Sequence, residues 1–230
     1  MATHEQPAPG RATGLREVVV LAGGERVVTP LSGPLPAADT VIAADSGLGS
    51  AATLGLKVDL VVGDLDSVNR DDLARAESLG TRIDRHPEDK DRTDLAIALD
   101  TVREQGPAQV TVVGGHGGRL DHLLANIALL ASAAYADLRI RALLGPALLH
   151  VVRDEVHLQG QPHELVSLLA VHGEAHGVTT QGLRFPLEDA ALHPGSSRGV
   201  SNRFSRTHAH VTVTDGVLVV VQPGPDDPNR

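Results

Sequence analysis

Four runs of apolar β-formers mark the first 145 residues, and each gives way to glycine or aspartate. They are EVVVLAGG (17–24), DTVIAADSG (39–47), DLVVGDLDS (59–67) and QVTVVGGHGG (109–118). Continuous apolar runs of this length suit strands buried on both faces, as in a parallel sheet. Between them the pattern turns helical. Leu95, Ala98, Leu99 and Val102 recur at i, i+3, i+4 and i+7 and predict a helix over 93–104. Leu120, Leu123, Leu124 and Ile127 predict another over 120–135, with shorter helical stretches at 48–54 and 71–79. Strands alternating with helices imply an α/β unit, a Rossmann-like parallel sheet covered on both faces. Ligands of such folds bind outside the carboxyl ends of the strands, where these four runs place their glycines and aspartates.

Beyond residue 145 the texture changes to short β-rich segments: ALLHVV, EVHLQG, LVSLLAV, GVTTQG, AHVTVTDG and VLVVVQ. Turn residues separate them and no helical period appears, so an antiparallel β-sandwich is expected. TDG (214–216) ahead of VLVVV has the form of a hairpin turn. The expected organisation is a disordered leader (1–16), an α/β domain (17–145), a β-sandwich domain (146–222) and a disordered tail (223–230).

Composition narrows the function classes. A length of 230 residues suffices for two modest domains with real cores. Aromatics make up 1% and Trp is absent, so Val, Leu and Ala must fill the interior. A net charge of −9 argues against a general nucleic-acid or anionic-membrane surface. The chain has no Cys, hence no disulfide or thiolate metal site, in keeping with a reducing compartment. The N-terminus lacks the apolar core of a signal peptide, and no apolar run approaches the ~20 residues of a membrane helix. A cytoplasmic protein is expected.

The chemistry gathers in three acidic clusters. Asp45 ends the second strand, Asp64 and Asp66 follow the third, and PEDKDRTD places Asp89, Asp91 and Asp94 at a helix entrance. Each has a local reading. Asp91-x-x-Asp94 resembles a helix cap favoured by the macrodipole, Asp64 and Asp66 resemble turn residues, and Asp45-Ser46-Gly47 resembles a strand-to-helix cap. All three clusters nonetheless fall where one sheet edge should converge. Like charges crowded there call for a cation, and hard oxygens without His or Cys suit Mg²⁺. GGHGGRLDH (114–122) adds an anion-binding cue. Its glycines let backbone approach a ligand, the following helix offers free N–H groups, and Arg119 at that helix start is better explained by phosphate than by the dipole.

DSG, GDLDS, DKDRTD and GGRLDH, in that order, closely resemble thiamine pyrophosphokinases. The likeness continues through GVTTQGLRFPL and the SN of GVSNRF, and so spans residues 17 to 221. It implies an α/β domain followed by a β-sandwich, in a homodimer whose active sites lie between the first domain of one chain and the second of the other. It also implies transfer of the diphosphate of ATP to the hydroxyethyl oxygen of thiamine, assisted by Mg²⁺, with release of AMP. Carried over residue by residue, Asp64, Asp66 and Asp94 become metal carboxylates, and Asp64, Asp91 and Arg119 the catalytic set, with Asp64 or Asp91 as the base. Asp45, Ser46, Lys90, Thr93, Gly115, Arg119, Asp121 and His122 become ATP contacts. Ser201 and Asn202 become thiamine contacts from the partner chain, with Phe204 the nearest candidate for an aromatic wall. Other readings stay open: a diphosphokinase for another small alcohol such as a hydroxymethylpterin, a nucleotide-sugar transferase built on DLD, or a non-catalytic nucleotide- or thiamine-binding regulator.

Most of the 12 histidines follow residue 145. His208 and His210 lie two apart on one strand and share a face, and His172 and His176 lie four apart. The strand pair has no acidic third partner nearby in sequence, so it reads as solvent-facing rather than as a zinc site.

Overall fold

A computed structural model describes residues 14–224. The expected leader and tail fall largely outside that range. Arg16, which the sequence pattern leaves in the leader, already pairs with Ala108.

The apolar runs form β1 (Arg16–Ala22), β2 (Thr40–Ala44), β3 (Leu60–Gly63) and β5 (Ala108–Gly114). Two further parallel strands went unread in the sequence: β4 (Arg82–Arg85) and β6 (Leu138–Leu144). RIDR in β4 has no apolar run because it is a sheet edge, where charge discourages stray pairing. The parallel order is β6-β5-β1-β2-β3-β4. Strand order reverses at β1, so the crevice between the β1 and β5 ends is the topological switch point.

The helices are α1 (Ser50–Leu54), α2 (Arg70–Ser78), α3 (Asp94–Glu104) and α4 (Leu120–Leu130). The four apolar positions of α3 are buried against β1, β2 and β3. The α4 helix ends five residues before the predicted stop, because Ser132 caps a separate 3₁₀ turn over Ala133–Tyr135. Only part of its stripe is covered within the chain, where Ile127 packs on the core. Leu120 is 67% and Leu124 60% exposed.

The sheet does not stop at residue 145. Strands β7 (Ala147–Val152), β14 (Leu218–Gln222), β9 (Leu165–Ala170) and β12 (Asn202–Arg203) continue it antiparallel from β6, giving ten strands in the order β12-β9-β14-β7-β6-β5-β1-β2-β3-β4. A second sheet of β8 (Glu155–Gln159), β10 (Ala175–Gln181), β11 (Ala190–Leu192) and β13 (His208–Thr212), ordered β11-β10-β13-β8, packs on this antiparallel half. Leu158, Val178 and Val211 of one layer meet Leu168, Leu218 and Val220 of the other in a core common to both. This is the expected sandwich, sharing one layer with the α/β sheet. The expected hairpin at TDG is not formed. β13 and β14 lie in different sheets, and the turn carries the chain across the sandwich, with Asp215 bridging His176. Both strands bury an apolar face, and an arch lets those faces meet each other's layer. Among the described residues no helix is long and apolar enough to cross a membrane.

Candidate active site

The ends of β2 and β3 bring Asp45, Asp64 and Asp66 together, each with a carboxylate oxygen within 4.8 Å of the others. Asp45 follows β2 in a left-handed conformation (φ 47°) that turns its side chain inward, and it is 9% exposed. One of its oxygens, Oδ1, is buried without a hydrogen-bond partner. Burial, and then the charges of Asp94, Asp64 and Asp66, push its pKa above the usual carboxylate range.

Gly63 makes this crowding possible. Its φ is 141°, and a Cβ there would lie 3.0 Å from Asp94 Oδ1 and 3.2 Å from Asp45 Cβ. Asp94 opens α3, whose cap is Thr93, the hydroxyl oxygen accepting from Ala96 N–H at 3.2 Å. Lys90, on the turn before that cap, reaches between the clusters, 3.1 Å from Asp64 Oδ2 and 3.0 Å from Asp94 Oδ1. The Lys90 hydrogen bond holds Asp64 below the ordinary carboxylate pKa. Lys90 loses some affinity for its proton to burial, but hydrogen bonds to Asp94 and Asp64 more than offset this and raise its pKa. Asp91 is exposed on the same turn and is not among the converging donors.

The switch-point crevice lies next to these carboxylates. At the end of β5 and beyond it, Gly114, Gly115, Gly117 and Gly118 all have positive φ, and Glu25 N–H donates to His116 O at 2.8 Å, joining this turn to the one after β1. Ser46 lies so close to Gly23 that a side chain at that glycine would collide with its hydroxyl. Asn126 of α4 donates to Gly115 O at 3.0 Å and braces the loop. Arg119 sits at the N-cap of α4 and closes on Asp121, Nη2 to Oδ2 at 2.6 Å and Nε to Oδ1 at 3.2 Å. That pairing draws the Asp121 pKa down to about 2. Both side chains are exposed, as is His122, so Arg119 is bound to its helix neighbour and not to the carboxylate cluster.

The β-domain residues lie elsewhere. Asn202 is 3% exposed, and its amide clamps Phe185, accepting from Phe185 N–H at 3.1 Å and donating to Phe185 O at 2.7 Å. Ser201 (φ 56°) donates its N–H to Ser167 Oγ at 3.0 Å. Around this clamp opens a cavity of about 290 Å³ lined by Phe185, Leu187, Arg198, Val200 and Asn202. Phe204 does not line it. Its ring is 1% exposed, packed in the sandwich core against Gly160. The exposed aromatic is Phe185, at 59%, with the Arg184 guanidinium 5.5 Å from its ring centre. Phe185 stands inside the LRFPL motif, and Pro186 after it signals a surface turn that the sequence reading passed over.

Carboxylates crowded at the strand ends of an open parallel sheet, beside a glycine turn at its switch point, define an α/β enzyme of the phosphotransferase kind. Comparison with known proteins names it further. Residues 34–142 match the thiamin pyrophosphokinase catalytic domain and residues 150–218 the thiamin pyrophosphokinase vitamin B1 binding domain. The chain belongs to the thiamin pyrophosphokinase family and is a thiamine diphosphokinase. A thiamine pyrophosphokinase of Bacillus subtilis is 25% identical over 220 residues, 90% of this chain and 99% of that one. Thiamine pyrophosphokinase 1 of Arabidopsis thaliana is 31% identical over 64% of this chain and 58% of its own length. In fold, the chain is similar to the crystal structures of the Bacillus subtilis protein (TM-score 0.77, 23% identity, covering 91% of this chain and 100% of that one) and of the Candida albicans protein (TM-score 0.73, 14% identity, 90% and 89%).

Proposed function

We propose that the chain transfers the diphosphate of ATP to the hydroxyethyl oxygen of thiamine, releasing AMP, with the carboxylate cluster as the metal-bearing centre. The observation that carries this reading is the convergence of Asp45, Asp64 and Asp66 beside Asp94, with a buried carboxylate oxygen left without a partner. All-oxygen donors of this kind fit Mg²⁺. Asp64, Asp66 and Asp94 would hold it, and when bound it neutralises charge on the phosphate oxygens.

The chain's own groups supply the rest. The glycine turn at the switch point brings backbone N–H groups close to the nucleotide phosphates, and Arg119 exchanges Asp121 for a phosphate oxygen. Lys90 moves from Asp64 and Asp94 to the same phosphates as substrates arrive. Its departure frees the Asp64 carboxylate, one oxygen of which would serve the metal while the other accepts the thiamine hydroxyl proton. The remaining demand is in-line positioning of that hydroxyl at the β-phosphorus. The acidic cleft also attracts thiamine, itself a cation.

Residues 146–222 supply the thiamine pocket through Ser201, Asn202 and Phe185. In one chain this pocket and the carboxylates cannot meet. Asn202 lies in β12, the first strand of the ten, and the carboxylates follow β2 and β3, the eighth and ninth. Eight strand steps of about 4.8 Å put β12 and β3 roughly 38 Å apart along the sheet. A homodimer in which one chain's pocket faces its partner's carboxylates resolves the separation, and the exposed Leu120 and Leu124 of α4 give it an apolar surface to bury.

The test is incubation of the purified chain with ATP, MgCl₂ and thiamine, following nucleotides and thiamine esters by chromatography. AMP and thiamine diphosphate should appear in equal amounts, and EDTA should stop both. ADP as the product would sink diphosphate transfer. AMP formed with another small alcohol but not with thiamine would transfer the site to that substrate.

A further inference from the structure

The outer face of the four-stranded sheet carries a second group of metal-binding side chains, unrelated to the carboxylate cluster. Along β8, Leu158 points into the core, so Glu155, His157 and Gln159 face outward. Along β13, Ala209 and Val211 point inward, so His208, His210 and Thr212 face outward. The antiparallel register sets His210 opposite His157 and Thr212 opposite Glu155. The two imidazoles stack with ring centres 4.3 Å apart and planes 5° from parallel. His210 Nε2 lies 2.9 Å from Glu155 Oε2. Ligand atoms of Glu155, His157 and His210 all lie within 4.8 Å of one another.

The geometry points to a site for a borderline divalent transition metal, Zn²⁺ foremost, formed by Glu155, His157 and His210. Two imidazole nitrogens and one carboxylate make a donor set that zinc favours and magnesium does not. The all-oxygen cluster at the β2 and β3 ends has the opposite preference, so the chain keeps two cation sites apart by ligand chemistry. Tetrahedral bonds of about 2.0–2.1 Å need donors about 3.3 Å apart, which small side-chain rotations can reach from the present positions. The His pair is a cross-strand pair, not the His208/His210 pair that sequence spacing offers, and its acidic third member comes from the neighbouring strand.

A different His–Glu group shows what the geometry must supply. Glu174 contacts His176 at 3.2 Å through one oxygen and His193 at 2.9 Å through the other. These donors are not among the sets that converge within 4.8 Å in the described residues. There the carboxylate bridges two histidines and does not share a centre with them. At the proposed site all three donors meet, and β8 is the edge strand of its sheet. A bound ion would clip that edge to β13.

The measurement is calorimetric titration of the chelator-treated full-length protein with ZnCl₂ under saturating MgCl₂, which keeps the carboxylate cluster occupied. One Zn²⁺ should bind per chain, and the thermal midpoint should rise with Zn²⁺. His157→Ala and His210→Ala should each weaken binding at least tenfold and remove the thermal shift, with the far-ultraviolet circular dichroism and the diphosphokinase rate in Mg²⁺ unchanged. His208→Ala should bind as the native chain does. The proposal is overturned if the native chain binds no Zn²⁺ under these conditions, if both variants bind it undiminished, or if only His208→Ala loses it.

Discussion

At the scale of single residues, the site is a surplus of negative charge held by one lysine. Lys90 bridges Asp64 and Asp94, the position the proposed metal would take. Lys90→Met removes this internal competitor, so Mn²⁺ or Mg²⁺ should bind the nucleotide-free protein several-fold more tightly, as calorimetry would read. The same change should lower turnover if the lysine serves the phosphates as proposed. Asp64→Asn keeps the shape and removes both a proposed metal ligand and the proposed proton acceptor. It should cost about 10²–10⁴-fold in kcat, with the thermal midpoint near the native value, and an unchanged rate would take Asp64 out of the mechanism. The sequence foretold that Asp45, Asp64, Asp66 and Asp94 would come together because each ends a strand or starts a helix, and one rule about strand ends applies to them all. It misplaced Phe204 because β12 is only two residues long. Two residues carry no alternation, so nothing in the pattern says which neighbour faces the core.

At the scale of elements, apolar runs announced the buried strands, whereas the charged edge strand β4 and the arch at TDG depend on which layer a strand joins, information that no local window holds. One buried element carries a pH response. On β7, His150 lies half-buried in the wall of a cavity of about 520 Å³ that Arg141, His157 and Glu164 also line. Burial first, and then the Arg141 charge, lower its pKa from 6.5 to about 4. Between those values the unfolded chain holds a proton on this residue that the folded chain does not. This contribution to stability is therefore complete above pH 6.5 and is lost progressively as the pH falls to about 4. The full shift converts to about 3 kcal/mol, and the ring's partial exposure reduces that to on the order of 2 kcal/mol. In urea titrations, His150→Gln should flatten this part of the stability profile between pH 6.5 and 4, and a native-like slope in the variant would show that other groups set it.

At the scale of the whole molecule, the length of the sheet keeps the two halves of the proposed site apart within one chain. Asn202 and Asp64 stand at opposite ends of one ten-stranded layer, so in the proposed shared site variants at these two positions damage different halves. Asp64→Asn spoils the carboxylate half. Asn202→Ala releases Phe185 and spoils the pocket half. Each protein alone should be nearly inactive. If the two are mixed in equal amounts and allowed to exchange subunits, half of the dimers pair one of each. In such a pair, one site combines both defects and the other combines neither. Random exchange therefore restores about a quarter of the native rate from two nearly dead proteins. Complementation also requires that subunits separate, so brief dilution or mild denaturant followed by refolding should speed its appearance. The exposed Leu120 and Leu124 of α4 set a matching condition. If they lie in the interface, Leu124→Glu should yield monomers by sedimentation that retain secondary structure, are inactive, and rescue neither partner. A mixture that stays inactive although mass spectrometry shows mixed dimers would place each complete site within one chain.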